Sequence, residues 1–143
     1  NQEVLCKFLG SSLTLVAADT IAKMSLATPV FSKDGLDVYE HVKEEHVYVL
    51  VADTAKGVGG DYSAFVVVDM TEMPYRVVAK YRDNKISPLL YPSVIYKVAT
   101  EYNNAYVLIE INSSEQVADI LYNEYEYENI VFVNRSGDGL YGR

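Results

Sequence analysis

The sequence predicts an α/β fold on a mixed sheet, in which a three-stranded antiparallel meander precedes strands separated by helices. Three observations carry that expectation. Val47-Tyr48-Val49-Leu50-Val51-Ala52 is an unbroken β-branched and apolar run of strand length that ends on Asp53, the pattern of a buried central strand. Two more apolar runs follow over short links, Ala64 to Val68 and Tyr75 to Tyr81, and links that short join antiparallel neighbours. Beyond Leu90 helical spacing alternates with strand-like runs, and a helix between two strands of one sheet implies that they run parallel.

Taken in order, Glu3 to Leu9 is expected to be extended, with Gly10-Ser11-Ser12 as punctuation. A helix should begin near Asp19 and run through Met24, with Pro29 as its stop, because proline lacks the amide a helix interior needs. From Phe31 to His46 the chain is polar and acidic, and Leu36, Val38 and Tyr39 offer the one short strand. Residues 1–46 are therefore read as a connecting segment and N-terminal arm, and residues 47–143 as the core domain. Within the core, Gly57-Val58-Gly59-Gly60 turns the chain into the second run and Met73-Pro74 into the third, both turn-forming compositions. Leu90 to Tyr102 places Val94, Ile95, Val98 and Ala99 on one helical face, and Ala105 to Ile109 is a fourth strand leading into Glu110. Ser113 and Gln116 have the spacing of a capping box, followed by an apolar face of Val117, Ala118, Ile120 and Leu121. Ile130 to Val133 is a fifth strand. The order β-β-β-α-β-α-β is that of an RNase H-like domain.

With 143 residues and 16.0 kDa, half of the residues hydrophobic, the chain supports one ordinary core. No apolar run approaches the roughly 20 residues needed to cross a bilayer, and Asn1-Gln2-Glu3 does not open a signal peptide, so a soluble, unsecreted chain without a membrane partner is expected. The absence of an initial methionine and the glycine-rich end suggest a piece of something larger. Cys6 is the single cysteine, far in sequence from His41 and His46, which leaves no internal disulfide and no zinc-ligand spacing. The sequons at Asn112 and Asn134 carry no weight in an unsecreted chain. The net charge of −8 repels nucleic acid as a whole, although divalent cations bound by a carboxylate cluster invert the local field.

The acids are informative by position. Asp53 ends the first core strand and Glu110 the fourth, and in this topology those strands lie side by side, so the two carboxylates are expected to meet at one sheet end. Carboxylates abutting apolar strands pay for desolvation unless paired or metal-bound. Oxygen donors alone favour magnesium or manganese over zinc, and two such ions suit phosphodiester hydrolysis. Asp61, across the glycine turn, is a third candidate. A strand-terminal acid is, however, more often a turn residue or helix cap, and Asp61 beside Gly60 equally fits an Asx turn. Gly57 to Gly60 lacks the following Gly-Lys-Ser/Thr of a P-loop. Lys56, Lys80, Arg82 and Lys85 are weak candidates for DNA backbone contacts. The 13 tyrosines fit core and edge packing better than base stacking, since Tyr122, Tyr125 and Tyr127 stand among Glu124, Glu126 and Glu128.

The stretch Val51-Ala52-Asp53-Thr54-Ala55-Lys56-Gly57-Val58-Gly59-Gly60-Asp61-Tyr62-Ser63 closely resembles the first acidic motif of terminase large-subunit nuclease domains from large tailed double-stranded DNA phages. Val107-Leu108-Ile109-Glu110-Ile111-Asn112-Ser113 resembles the second, and Phe8-Leu9-Gly10-Ser11-Ser12 with Leu13-Thr14-Leu15 resembles the segment joining ATPase to nuclease. The resemblance implies that Asp53 and Glu110 are metal ligands and Asp61 an accessory acid. It implies an endonuclease that cuts concatemeric double-stranded DNA with Mg2+ or Mn2+. It also implies as partners the portal protein, the small terminase subunit and the enzyme's own ATPase domain, at the assembling capsid in the host cytoplasm. The family pattern adds a third metal-binding Asp on a later element that this chain ends before reaching; Asp138, between Gly137 and Gly139, is a poor substitute, so an isolated chain of this extent is expected to be weak or inactive. No Walker motif is present. Two other readings compete: a sugar-kinase or actin-like nucleotide-binding domain, which would use Gly57 to Gly60 against phosphates, and a noncatalytic DNA-clamping and portal-docking module.

Overall fold

The computed structural model describes residues 15–55, 60–110, 115–133 and 141–142. A short helix, α1 (Ala18–Lys23), is followed by β1 (Phe31–Lys33), β2 (Leu36–Val38), β3 (Tyr48–Asp53), β4 (Ser63–Asp69) and β5 (Arg76–Asp83). Then come α2 (Tyr91–Glu101), β6 (Tyr106–Glu110), α3 (Glu115–Asp119), a π-helical turn over Ile120–Glu124, β7 (Ile130–Val133) and β8 (Tyr141–Gly142). All strands join one eight-stranded sheet in the order β1-β2-β5-β4-β3-β6-β7-β8. The expected meander is β3-β4-β5, antiparallel throughout, and the helix-separated strands β6 and β7 run parallel to β3 and to each other. This is the RNase H-like mixed sheet that the sequence predicts.

The edges differ from expectation. The arm read as holding one strand folds into a β1–β2 hairpin that pairs with β5, so the sheet extends into residues 31–38. Its turn needs Gly35, at φ +84°, where a Cβ would come within 2.5 Å of the Arg82 carbonyl oxygen. β8, on the other edge, was not expected either; it is a two-residue strand against β7. The helix α1 ends at Lys23, well before Pro29, and buries no residue, which leaves it without the packed face that sustains short helices. The capping box at Ser113 lies outside the described residues.

The sheet has two unlike faces. Leu50, Ala52, Phe65, Val67, Ala79, Tyr81, Val107 and Ile109 are buried together with Ile95, Val98 and Ala99 of α2 and Val117 and Leu121 beyond β6. The alternate residues Val49, Val51 and Asp53 on β3, and Tyr106, Leu108 and Glu110 on β6, are half-buried or exposed. One face is therefore helix-covered, and no described element covers the other. β5 takes up the mismatch with a bulge opposite Val67 and Val68, so that Val78 and Ala79 are both buried while Lys80 and Arg82 return to the open face.

At the sheet end away from Asp53, buried Asp69 ties the arm down. Its carboxylate lies 2.7 Å from His46 Nδ1, accepts from the Thr71 amide at 3.0 Å and lies 3.6 Å from Arg76 Nη2. Arg76 in turn grips Glu40 at 2.9 and 3.3 Å. Burial pushes the Asp69 carboxyl up, yet the hydrogen bonds from Thr71 and His46 outweigh it and hold it at about 2.

Two outcomes follow for stability. Leu50 is fully buried at the centre of the sheet, so Leu50→Ala should cost about 2–5 kcal/mol in urea unfolding. Because the folded value for Asp69 lies below the ordinary 3.8, its contribution is complete above that value and is lost as pH falls toward 2; Asp69→Asn should flatten the acid limb of the stability profile, measured by urea titration at successive pH values.

Candidate active site

The site is set by strand register. β3 and β6 pair in parallel from Val49↔Tyr106 to Ala52↔Ile109, so Asp53 and Glu110, the last residues of the two strands, come one position later at the same end of the sheet. In-register residues of a pleated sheet share a face. Asp53 follows Val51 and Glu110 follows Leu108 by two residues, and Val51 and Leu108 are partners, so both acids stand on the open face, and both are exposed.

Further pairings extend this row. Asp53 partners Ala64 on β4, and Ala64 partners Arg82 on β5, giving Glu110, Asp53, Ala64 and Arg82 in one line across four strands. The row behind it is Leu108, Val51, Val66 and Lys80. Together these residues line a groove of about 660 Å³ with an apolar floor, acids at one side and the two cations at the other. Lys80 lies 3.9 Å from Asp37 of β2, whereas Arg82 makes no ion pair among the described residues and its guanidinium sits 5.1 Å from the centre of the Tyr62 ring.

Beneath the sheet, Tyr91 fixes the same end. Its hydroxyl donates to the Ala64 carbonyl at 2.6 Å and lies 3.3 Å from that of Asp53, while its ring stacks with Phe65 and Tyr81. Burial, with smaller contributions from Tyr81 and Asp53, pushes the phenol far up, so it remains a donor at any physiological pH. Beyond Asp53 the chain is held again, where the Ala55 amide donates to Ser63 Oγ at 3.1 Å.

The structure thus brings together Asp53, Glu110, Lys80 and Arg82. Asp61 lies in the exposed turn ahead of β4 and does not line the groove; nor does Lys85, exposed after β5, where the Asp83 carboxylate accepts its amide and that of Ile86. Lys56, Gly57, Gly59 and Asp138 lie outside the described residues. Tyr91 is the residue that sequence reasoning missed. It reads as the first residue of a helix, and only packing shows that it reaches the Asp53 and Ala64 carbonyls.

Residues 50–141 match the family model of the terminase RNaseH-like domain. The chain belongs to that family. Solved structures share its fold. The large terminase nuclease of thermophilic phage G20c with bound magnesium is 21% identical with a TM-score of 0.64, over 77% of this chain and 56% of that one. The same nuclease with bound zinc is 20% identical with a TM-score of 0.63, over 77% and 61%. The nuclease domain of the large terminase of Thermus phage P74-26 is 22% identical with a TM-score of 0.62, over 77% and 54%. This chain spans a little over half the length of these structures. Membership in this family sets aside the sugar-kinase or actin-like reading.

Tyr91→Phe removes the hydroxyl and leaves the half-buried Ala64 carbonyl without this donor. It should cost about 1–3 kcal/mol in urea unfolding, with amide shifts concentrated at Asp53 and Ala64.

Proposed function

We propose that this terminase domain is a metal-dependent endonuclease that hydrolyses phosphodiester bonds of concatemeric double-stranded DNA, with Asp53 and Glu110 as the metal ligands. The observation that carries this reading is the parallel register that sets the two carboxylates side by side on one open face. The donor set fits hard divalent ions. Both ligands are oxygen donors, and magnesium is commonly held by one or two carboxylates with water and substrate phosphates completing the shell. The metal-bound relatives add support for divalent metal use, and Mg2+ or Mn2+ is the assignment that the donors favour.

Two ions at such a site supply an activated water and charge stabilisation on the leaving oxygen. The chain's own residues do the rest. Asp53 and Glu110 place their charge where a phosphate would otherwise be repelled, so DNA engagement at the site depends on the cations that they hold. Val51, Val66 and Leu108 form the groove floor between the acids and Lys80 and Arg82, which supply positive charge on the far side. Asp61 is assigned as an accessory acid, and Lys56 and Lys85 as DNA backbone contacts. By the same reading the partners are the portal protein, the small terminase subunit and the ATPase domain, at the capsid in the host cytoplasm, with the stretch ahead of β1 serving as the link.

A second reading has one observation in its favour. Among the described residues no cluster of three His, Cys, Asp or Glu could hold a metal ion, which suits a noncatalytic DNA-clamping and portal-docking module.

Titration with Mg2+ and Mn2+, followed by backbone amide NMR and by cleavage of plasmid DNA by the intact protein, separates the two. Saturable shifts at Asp53 and Glu110 are expected. Asp53→Asn should weaken them by more than the roughly 10–100-fold that loss of an outer-shell partner costs, and cleavage should vanish with them. Metal-dependent cutting that survives in Asp53→Asn would refute the assignment.

A further inference from the structure

The cation in the row of the acid pair differs from an ordinary surface residue in three ways. Arg82 lies in the same cross-strand row as Glu110 and Asp53, two strands from Asp53 and so about 10 Å away along the row at the usual strand spacing of about 4.8 Å. The residue between them is Ala64, whose methyl group leaves the path low and open. Arg82 is also fixed at both ends. Its amide donates to the Gly35 carbonyl at 3.1 Å, and its guanidinium rests on Tyr62. By contrast Lys80 sits one row back, 3.9 Å from Asp37.

A guanidinium placed over an aromatic ring, with no carboxylate partner among the described residues, keeps its forked donors for an incoming oxyanion. Arginine binds phosphate in that bidentate way, and lysine cannot reproduce it. We infer that Arg82, seated on Tyr62, forms a phosphate subsite beside the acid pair, which takes a DNA backbone phosphate flanking the scissile one. This inference rests on the nuclease reading above. It makes the bound strand run along the row, across the β-strands rather than parallel to them, with the scissile phosphate at Asp53 and Glu110 and a flanking phosphate at Arg82. The subsite supplies register and orientation and carries no base sequence.

The test is binding and cleavage of a short DNA duplex by the intact protein over a salt series, with variants Arg82→Gln, Arg82→Lys, Tyr62→Phe, Tyr62→Ala and, as a charge control on the helix-covered side, Lys97→Gln. Arg82→Gln should reduce the slope of log affinity against log salt by roughly the 0.7–0.9 of one phosphate contact, and should weaken binding and lower cleavage while metal titration at Asp53 and Glu110 stays unchanged. Arg82→Lys should restore the slope but only part of the cleavage, Tyr62→Phe should behave as wild type, Tyr62→Ala should lie between wild type and Arg82→Gln, and Lys97→Gln should change nothing. Unchanged binding, slope and cutting in Arg82→Gln, beside loss of cutting in Asp53→Asn, would overturn the subsite and leave the nuclease standing. An equal effect from Lys97→Gln would also overturn it, by showing bulk electrostatics. If Asp53→Asn cuts normally, the nuclease reading falls and the subsite with it.

Discussion

The parallel pairing of β3 with β6 is the constraint on which the site depends, because strands that run the same way end at the same edge of a sheet. Asp53 and Glu110 lie more than fifty residues apart in sequence, and each closes an apolar strand whose register with the other is continuous from Val49 to Ala52. Slipping that register by one residue would turn one acid to the helix-covered face. The hydrophobic alternation that keeps Leu50, Ala52, Val107 and Ile109 in the core is therefore the same force that keeps both carboxylates out of it. Stability and site geometry are set by one pattern.

A parallel pair needs a crossover, and α2 provides it. The helix buries Tyr91, Pro92, Ile95, Val98 and Ala99, so its first residue lands beneath the ends of β3 and β4. There the Tyr91 hydroxyl reaches the carbonyls of Ala64 and Asp53. The crossover connection thereby also braces the strand ends that present the site. The far end of the sheet is secured differently, through Asp69, His46, Arg76 and Glu40, a charged network that fastens the arm without touching the groove. The two ends divide labour: ion pairs anchor the arm, and an aromatic stack with one well-placed hydroxyl supports the acids.

Legibility in the sequence varied with how local the cause was. The core strands and α2 were readable because burial on a pleated or helical surface leaves a period of two or of three to four residues, and β7 was found at its observed ends, Ile130 and Val133. β1 was not readable, since Phe31-Ser32-Lys33 is exposed along its length on one edge and its pairing comes from the Gly35 turn and from β2, not from its own pattern. The bulge at Val78 and Ala79 was equally hidden, being a negotiation between two strands. Asp53 and Glu110 were found as candidates from their place at strand ends. Lys80 and Arg82 were legible as cations but not as different from Lys85, because the pairing of Lys80 with Asp37 and the seating of Arg82 on Tyr62 arise between elements.

By itself the sequence determined the order of the core elements, the strand ends on which the two acids fall and the family to which the chain belongs, since each is written in residues close together along the chain. Tertiary structure alone decided which face the acids share, which cation stands in their row and which tyrosine braces them from below. Those depend on register between strands and on packing across the sheet. Both are contacts between residues distant in sequence, and they leave no periodic trace in the segments that make them.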